Sequence, residues 1–273
     1  MERPDLRKPA YAGQFYPATA AGISRQIEAF IPGLAQKIDI IGCVLPHAGY
    51  AYSGRVAVET VAQINIKQRI FLLGPSHTGI GAPFSIITRG KWQTPLGEVE
   101  IDSQLAKRVL ERCKLLEEDS SAHLSEHSLE VELPILQYFK KDFKIVPIVF
   151  MPGDSGVLKE IGRAIGEAAG EPPFKDSTLI VASSDMTHYE SEDQARRKDK
   201  IAIEAIIELD EDKLYQKVRQ LDISMCGYAP AVAMISAAKL LGAKNARLVR
   251  YENSGEVTGD KSSVVGYAGI LLY

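Results

Sequence analysis

The sequence is short of the residues that build metal or disulfide frameworks. Its 273 residues include three cysteines, five histidines and one tryptophan. The cysteines, at 43, 113 and 226, are too few and too scattered for a disulfide scaffold or a CxxC zinc site. Their sparseness makes the reducing cytoplasm the expected setting. No block of one charge sign is present: 32 basic and 35 acidic residues are interspersed and leave a net charge of −3. This argues against a general nucleic-acid or membrane-surface binder. No apolar run approaches the roughly 18 residues needed to span a bilayer. Met1 is followed by Glu2-Arg3-Pro4-Asp5, which is not the start of a secretory signal. Repeats, low-complexity tracts and Ser/Gly linkers are also missing, so residues 1–273 read as one domain.

What remains is an ordinary globular composition, 45% apolar, long enough to bury a sizeable core. Short apolar runs punctuate it: Ile40-Ile41-Gly42-Cys43-Val44-Leu45, Ile70-Phe71-Leu72-Leu73, Ile145-Val146-Pro147-Ile148-Val149-Phe150 and Leu179-Ile180-Val181-Ala182. They are rich in β-branched residues and do not alternate with polar ones, as expected of parallel strands buried on both faces. Helical spacing lies between them, at Ile23, Ile27 and Phe30, and at Val157, Ile161 and Ile165 after an N-cap at Asp154 or Ser155. Leu129, Leu133 and Leu136 repeat the spacing, with Pro134 kinking or beginning that helix. Further helices are expected over 104–115, 193–209 and 230–241, the last apolar nearly all round and stopped by Gly242. Two final strands, 247–251 and 264–272, complete an α/β pattern: a mostly parallel central sheet with helices on both faces.

Three of the strands run directly into histidine. The first continues as Leu45-Pro46-His47-Ala48-Gly49-Tyr50, the second as Leu73-Gly74-Pro75-Ser76-His77, and the fourth as Ser183-Ser184-Asp185-Met186-Thr187-His188. Ligands of open parallel sheets bind outside the carboxyl ends of the strands, so His47, His77, Asp185 and His188 are expected at one edge. Two neutral imidazoles with an anionic ligand suit zinc, iron or copper. Asp185 would orient an imidazole or act beside it as acid or base; the plainer reading is that it caps a following helix. Glu126-His127 could reach the same crevice, or His127 could simply start a helix. His123 reads as an exposed loop residue. Cys43 and Cys113 read as small core residues. Cys226, just before the 230–241 helix, could have its thiol pKa lowered by the helix N-terminus.

Taken together, the strings Gly13-Gln14-Phe15-Tyr16, Pro46-His47-Ala48-Gly49-Tyr50, Leu73-Gly74-Pro75-Ser76-His77, Glu126-His127-Ser128-Leu129-Glu130, Ser183-Ser184-Asp185 with His188, and Cys226-Gly227 resemble the Memo family in order and spacing. That family is similar in fold to class III, LigB-type extradiol dioxygenases, whose iron is held by two His and a Glu. The resemblance implies His47, His77 and Cys226 as metal ligands, with Asp185 and His188 as the adjacent acid–base pair and His127 beside them. Tyr16, Tyr50 and Glu126 fall in the same motifs and are expected to line a ligand pocket. A thiolate in place of the dioxygenase carboxylate shifts metal preference toward copper or zinc and away from ring cleavage. Animal members are linked to copper binding, redox chemistry and phosphotyrosine-peptide recognition. Microbial members resemble a component of a system with a radical-SAM protein and an AMMECR-domain protein, which makes those two expected partners.

Three functions follow as expectations. The first is a metal-dependent oxidoreductase of dioxygenase-like ancestry acting on an unidentified substrate. The second is a non-catalytic module in which Tyr16, Tyr50, Trp92 and the histidines bind a peptide or phosphorylated ligand. The third is a metal-free thiol hydrolase with Cys226 as nucleophile, His188 as base and Asp185 as orienter.

Overall fold

In the computed structural model, residues 6–33 and 36–273 are described. The opening residues 1–5, read above as lacking a secretory signal, lie outside them. The chain begins with β1 (Leu6–Arg7) and α1 (Ala20–Glu28), then β2 (Gly42–Leu45) and α2 (Tyr50–Val61). β3 (Arg69–Pro75) is followed by three shorter strands, β4 (Phe84–Ile86), β5 (Lys91–Thr94) and β6 (Gly97–Ile101). Next come α3 (Ser103–Arg112), β7 (Glu117–Glu118), and two short helices, α4 (Ser121–Leu124) and α5 (Leu133–Phe139). β8 (Lys144–Phe150), α6 (Ser155–Gly170), β9 (Thr178–Ser183) and β10 (Asp185–Glu190) follow. The last third comprises α7 (Glu192–Ile207), α8 (Glu211–Gln220), α9 (Tyr228–Leu240), β11 (Ala246–Asn253), the single turn α10 (Gly255–Thr258) and β12 (Val264–Leu272).

The four apolar runs form the centre of one sheet, twelve-stranded among the described residues, in the order β8-β3-β9-β2, all parallel. Nearly every residue of these strands is buried, because helices cover both faces and leave no solvated side to favour alternation. β12 and β10 extend the sheet antiparallel beyond β2, and β11 pairs with the outer side of β12. One face packs on α3, α6, α7, α8 and α9, and the other on α1, α2 and α5. No helix among the described residues is long and apolar enough to cross a membrane.

Local signals account for most helices. Thr19 accepts a hydrogen bond from the Gly22 N–H and starts α1, whose Ile23 and Ile27 are buried. Asp102 caps α3 by accepting from Leu105 N–H. Pro134 begins α5 rather than kinking it, so Leu129 lies outside the helix. Gly242, at φ +98°, ends the chain's path out of α9. Asp154 occupies the N-cap position of α6 without a side-chain bond to the helix. α6 and α9 pack closely because Gly162 faces the Ala233 backbone, where a Cβ would collide.

Two expectations fail. Asp185 does not cap a helix: it opens β10, and the next helix starts only at Glu192. His123 is not an exposed loop residue but lies fully buried on α4, with Nε2 3.2 Å from Ser85 O and its ring 6.0 Å from that of Trp92.

Candidate metal centre

β3, β9 and β2 are neighbours, and their carboxyl ends open on one crevice. His47 follows β2, His77 follows β3, and Asp185 follows β9. Cys226 arrives from the turn that leads into α9. The ligand-capable atoms of His47, His77 and Cys226 all lie within 4.8 Å of one another. Cys226 Sγ is 3.3 Å from His47 Nε2, and the His47 and His77 rings are 5.1 Å apart. Donors about 2.0–2.3 Å from a tetrahedral ion lie roughly 3.3–3.8 Å from each other, so the observed sulfur–nitrogen spacing fits shared coordination.

The hydrogen bonds fix which imidazole nitrogen is free. Ser183 Oγ donates its one proton to Ser128 O at 2.7 Å, so it can only accept from His47 Nδ1–H, also at 2.7 Å. His77 Nδ1–H donates to Glu126 Oε1 at 2.8 Å, while its backbone N–H donates to Glu126 Oε2 at 2.6 Å. Both rings therefore present a bare Nε2, as metal-bound histidines do when their other nitrogen is held. The residues fit a metal on this ground: two oriented imidazoles and one thiol.

The same logic applies to the neighbours. Asp185 accepts from the backbone N–H groups of His47 at 2.9 Å and Ala48 at 3.3 Å, clamping the turn after β2. Burial raises its pKa to about 6, against the lowering pull of His188 and those N–H groups. His188 does not bond to Asp185; its Nδ1–H donates to Ser224 O at 2.9 Å, which leaves Nε2 free. The imidazole beside the thiol is that of His47 rather than His188. Cys226 itself departs from expectation: burial and the Asp185 carboxyl push its thiol pKa up, outweighing the hydrogen bonds it receives from the Asp185 backbone and Ser184. Desolvation also keeps His47 neutral, lowering its pKa well below the ordinary value.

His127 joins the cluster. Its ring stacks on His77 at 4.3 Å, and burial followed by the neighbouring His77 imidazole lowers its pKa to about 4. Together with His77 and Glu126 it forms a second group of possible ligands. Glu126, however, is already engaged by three N–H groups from His77 and Ser128. Burial alone would raise its pKa, but the hydrogen bonds from His77 and Ser128 hold it at about 2. It serves as the anchor of His77.

Tyr16 and Tyr50 lie behind the crevice, buried, with their hydroxyls donated to Glu130 Oε1 and Val131 O. Trp92 is buried beneath the Arg7 guanidinium, 4.3 Å from its ring centre. The aromatic residues beside His127 are instead Phe15, 4.7 Å from its ring, and Tyr11, 5.4 Å from it. Phe15 stands inside the Gly13-Gln14-Phe15-Tyr16 string, next to the tyrosine whose hydroxyl makes it the more conspicuous candidate in sequence. Ser183 and Ser184 were also missed as holders. Ser183 fixes His47, and Ser184 Oγ accepts from Gly227 N–H at 3.0 Å next to Cys226.

The comparisons with known proteins agree with the motif set. The family described as Memo-like protein matches residues 7–271. This chain belongs to the Memo-like family. A MEMO1 family protein of Methanopyrus kandleri is 42% identical over 280 residues, covering 97% of this chain and 98% of the relative. Another from Aquifex aeolicus is 44% identical over 271 residues, covering 98% and 99%. Among solved structures, an uncharacterized protein of Escherichia coli K12 shares the fold at a TM-score of 0.58 and 12% identity. That likeness covers 86% of this chain and 100% of the other.

Proposed function

We propose that this Memo-like chain holds a metal ion at His47, His77 and Cys226 and carries out redox chemistry on a small molecule bound in the crevice above it. The convergence of these three donors from separate elements, each histidine locked with Nε2 bare, carries the reading. A thiolate beside two imidazoles favours copper or zinc over the hard ions preferred by carboxylate sets, with iron a further candidate. When bound, such an ion supplies Lewis-acid chemistry and, for copper or iron, one-electron transfer.

The chain's own groups manage protons around it. His188 offers Nε2 as an acceptor, because its other nitrogen is tied to Ser224 O. Asp185, with a pKa of about 6, can exchange a proton near neutrality while its carboxylate form holds His47 in place. The Phe15 and Tyr11 rings give the mouth an apolar, aromatic wall against His127.

Metal analysis of protein purified without chelator tests the assignment. The wild type and His188→Gln should carry stoichiometric metal, and Cys226→Ala should lose most of it. Equal metal content in wild type and Cys226→Ala would remove Cys226 from the ligand set, and loss in His188→Gln would make His188 a ligand rather than a base.

A further inference from the structure

Behind His47 sits a carboxyl that the proposed chemistry does not use. Glu132 is fully buried at the N-cap of α5, and neither of its oxygens has a hydrogen-bond partner. The titratable groups that act on it or feel it are Cys43 on β2, Tyr50 on α2 and Asp185 at the start of β10. None is cationic, so nothing among them compensates a buried negative charge. Ser183 is the polar side chain that touches its environment. Counting protons then decides the direction of any bond between them. The Ser183 proton is committed to Ser128 O, and its oxygen already accepts from His47 Nδ1–H. A carboxylate at 132 would face only lone pairs, whereas a carboxylic acid could donate to the remaining lone pair of Ser183.

We propose that Glu132 is a neutral carboxylic acid that donates toward Ser183 and completes the Glu132–Ser183–His47 chain which positions His47. It is a positioning residue, and its role at the metal rests on the reading of His47 as a ligand. Burial without a cationic partner pushes its pKa well above the ordinary range, in keeping with this form. An acid held neutral by the fold has a cost. Below the ordinary glutamate pKa the folded and unfolded chains are both protonated there. As pH rises above it, only the unfolded chain releases the proton, and folding weakens about tenfold per pH unit up to the folded-state pKa.

Two full-length variants test the proposal: Glu132→Gln, which stays neutral and keeps a donor, and Glu132→Leu, which has none. Chemical unfolding from pH 5 to 8 should show Glu132→Gln gaining on the wild type by about tenfold in the folding equilibrium per pH unit over that rise. Curves that run parallel would overturn the neutral acid. Long-range 1H–15N NMR should find His47 protonated at Nδ1 in the wild type and Glu132→Gln with matching ring-nitrogen shifts, and displaced ring-nitrogen shifts in Glu132→Leu, where Ser183 loses the second group that donates to it. An unchanged His47 signal in Glu132→Leu would overturn the positioning role. Co2+ titration should then show Glu132→Leu binding about tenfold more weakly and Glu132→Gln within about twofold of wild type. Wild-type affinity in Glu132→Leu would likewise count against positioning. A wild type that binds no Co2+ would instead undermine the metal reading, while the unfolding and NMR comparisons still decide Glu132.

Discussion

At the scale of single residues, the site depends on groups that touch no ligand. Glu126 is the clearest, since it receives both the backbone and ring N–H of His77. Glu126→Gln would turn one of its two oxygens into a donor facing an N–H group at hydrogen-bond distance, donor against donor. The expected outcome is a 10–100-fold loss of metal affinity with the fold retained, read by metal titration beside thermal unfolding. Affinity within twofold of wild type would show that His77 needs no such anchor. The sequence displayed the donors themselves, because a histidine after a buried strand stands out in a chain with only five. It did not display their supports. Ser183 and Ser184 look alike as neighbours, yet one holds His47 and the other the Cys226 turn, and only tertiary contacts separate the roles. The thiol was misread for a related reason. A helix terminus can be recognised in sequence, but the burial and the Asp185 carboxyl that raise this thiol's pKa come from elsewhere in the chain.

At the scale of elements, the four central strands were legible because burial on both faces removes polar residues from them. Elements with weaker patterns were not. α8 is anchored by Leu214 and Val218, too few apolar positions to mark a stripe. α2 contains Ser53, Gly54 and several β-branched residues, all poor helix formers, and is held by packing rather than propensity. β10 follows β9 after one residue, so the Asp185 that resembled a cap is instead part of a strand edge. The meeting of β9 with the turn before α9 sets a strict steric limit. A Cβ at Gly227 would collide with Ser183 O and with the Ser184 side chain. Gly227→Ala should therefore lower stability by about 1–3 kcal/mol and move Cys226 out of register with His47. Thermal unfolding and metal content check it. Full metal occupancy in a destabilised Gly227→Ala would show that the turn can shift without carrying Cys226.

At the scale of the whole molecule, the segment bearing Glu126 and His127 is fixed by a buried network that reaches across the fold. Arg7 pairs with Glu130 at 2.8 Å and donates to the backbone oxygens of His123 and Glu126 at 2.7 and 2.9 Å. His123 lies inside this network. Burial, and then the Arg7 charge, lowers its pKa to about 3. The sign of the pH effect follows. Below about pH 6.5 the unfolded chain protonates this histidine while the folded chain does not, so stability is lost as pH falls toward 3. At pH 4 the loss from this group is on the order of 3 kcal/mol. His123→Gln retains an N–H for Ser85 and cannot titrate. It should be less stable than wild type at pH 7, and the gap should close or reverse by pH 4, measured by urea unfolding at both values. A constant gap would mean that the acid sensitivity lies elsewhere. A closing gap would place the acid-labile point of the fold in the network that also holds His77 through Glu126, so that metal release on acidification would accompany loosening of this segment as well as protonation of the ligands.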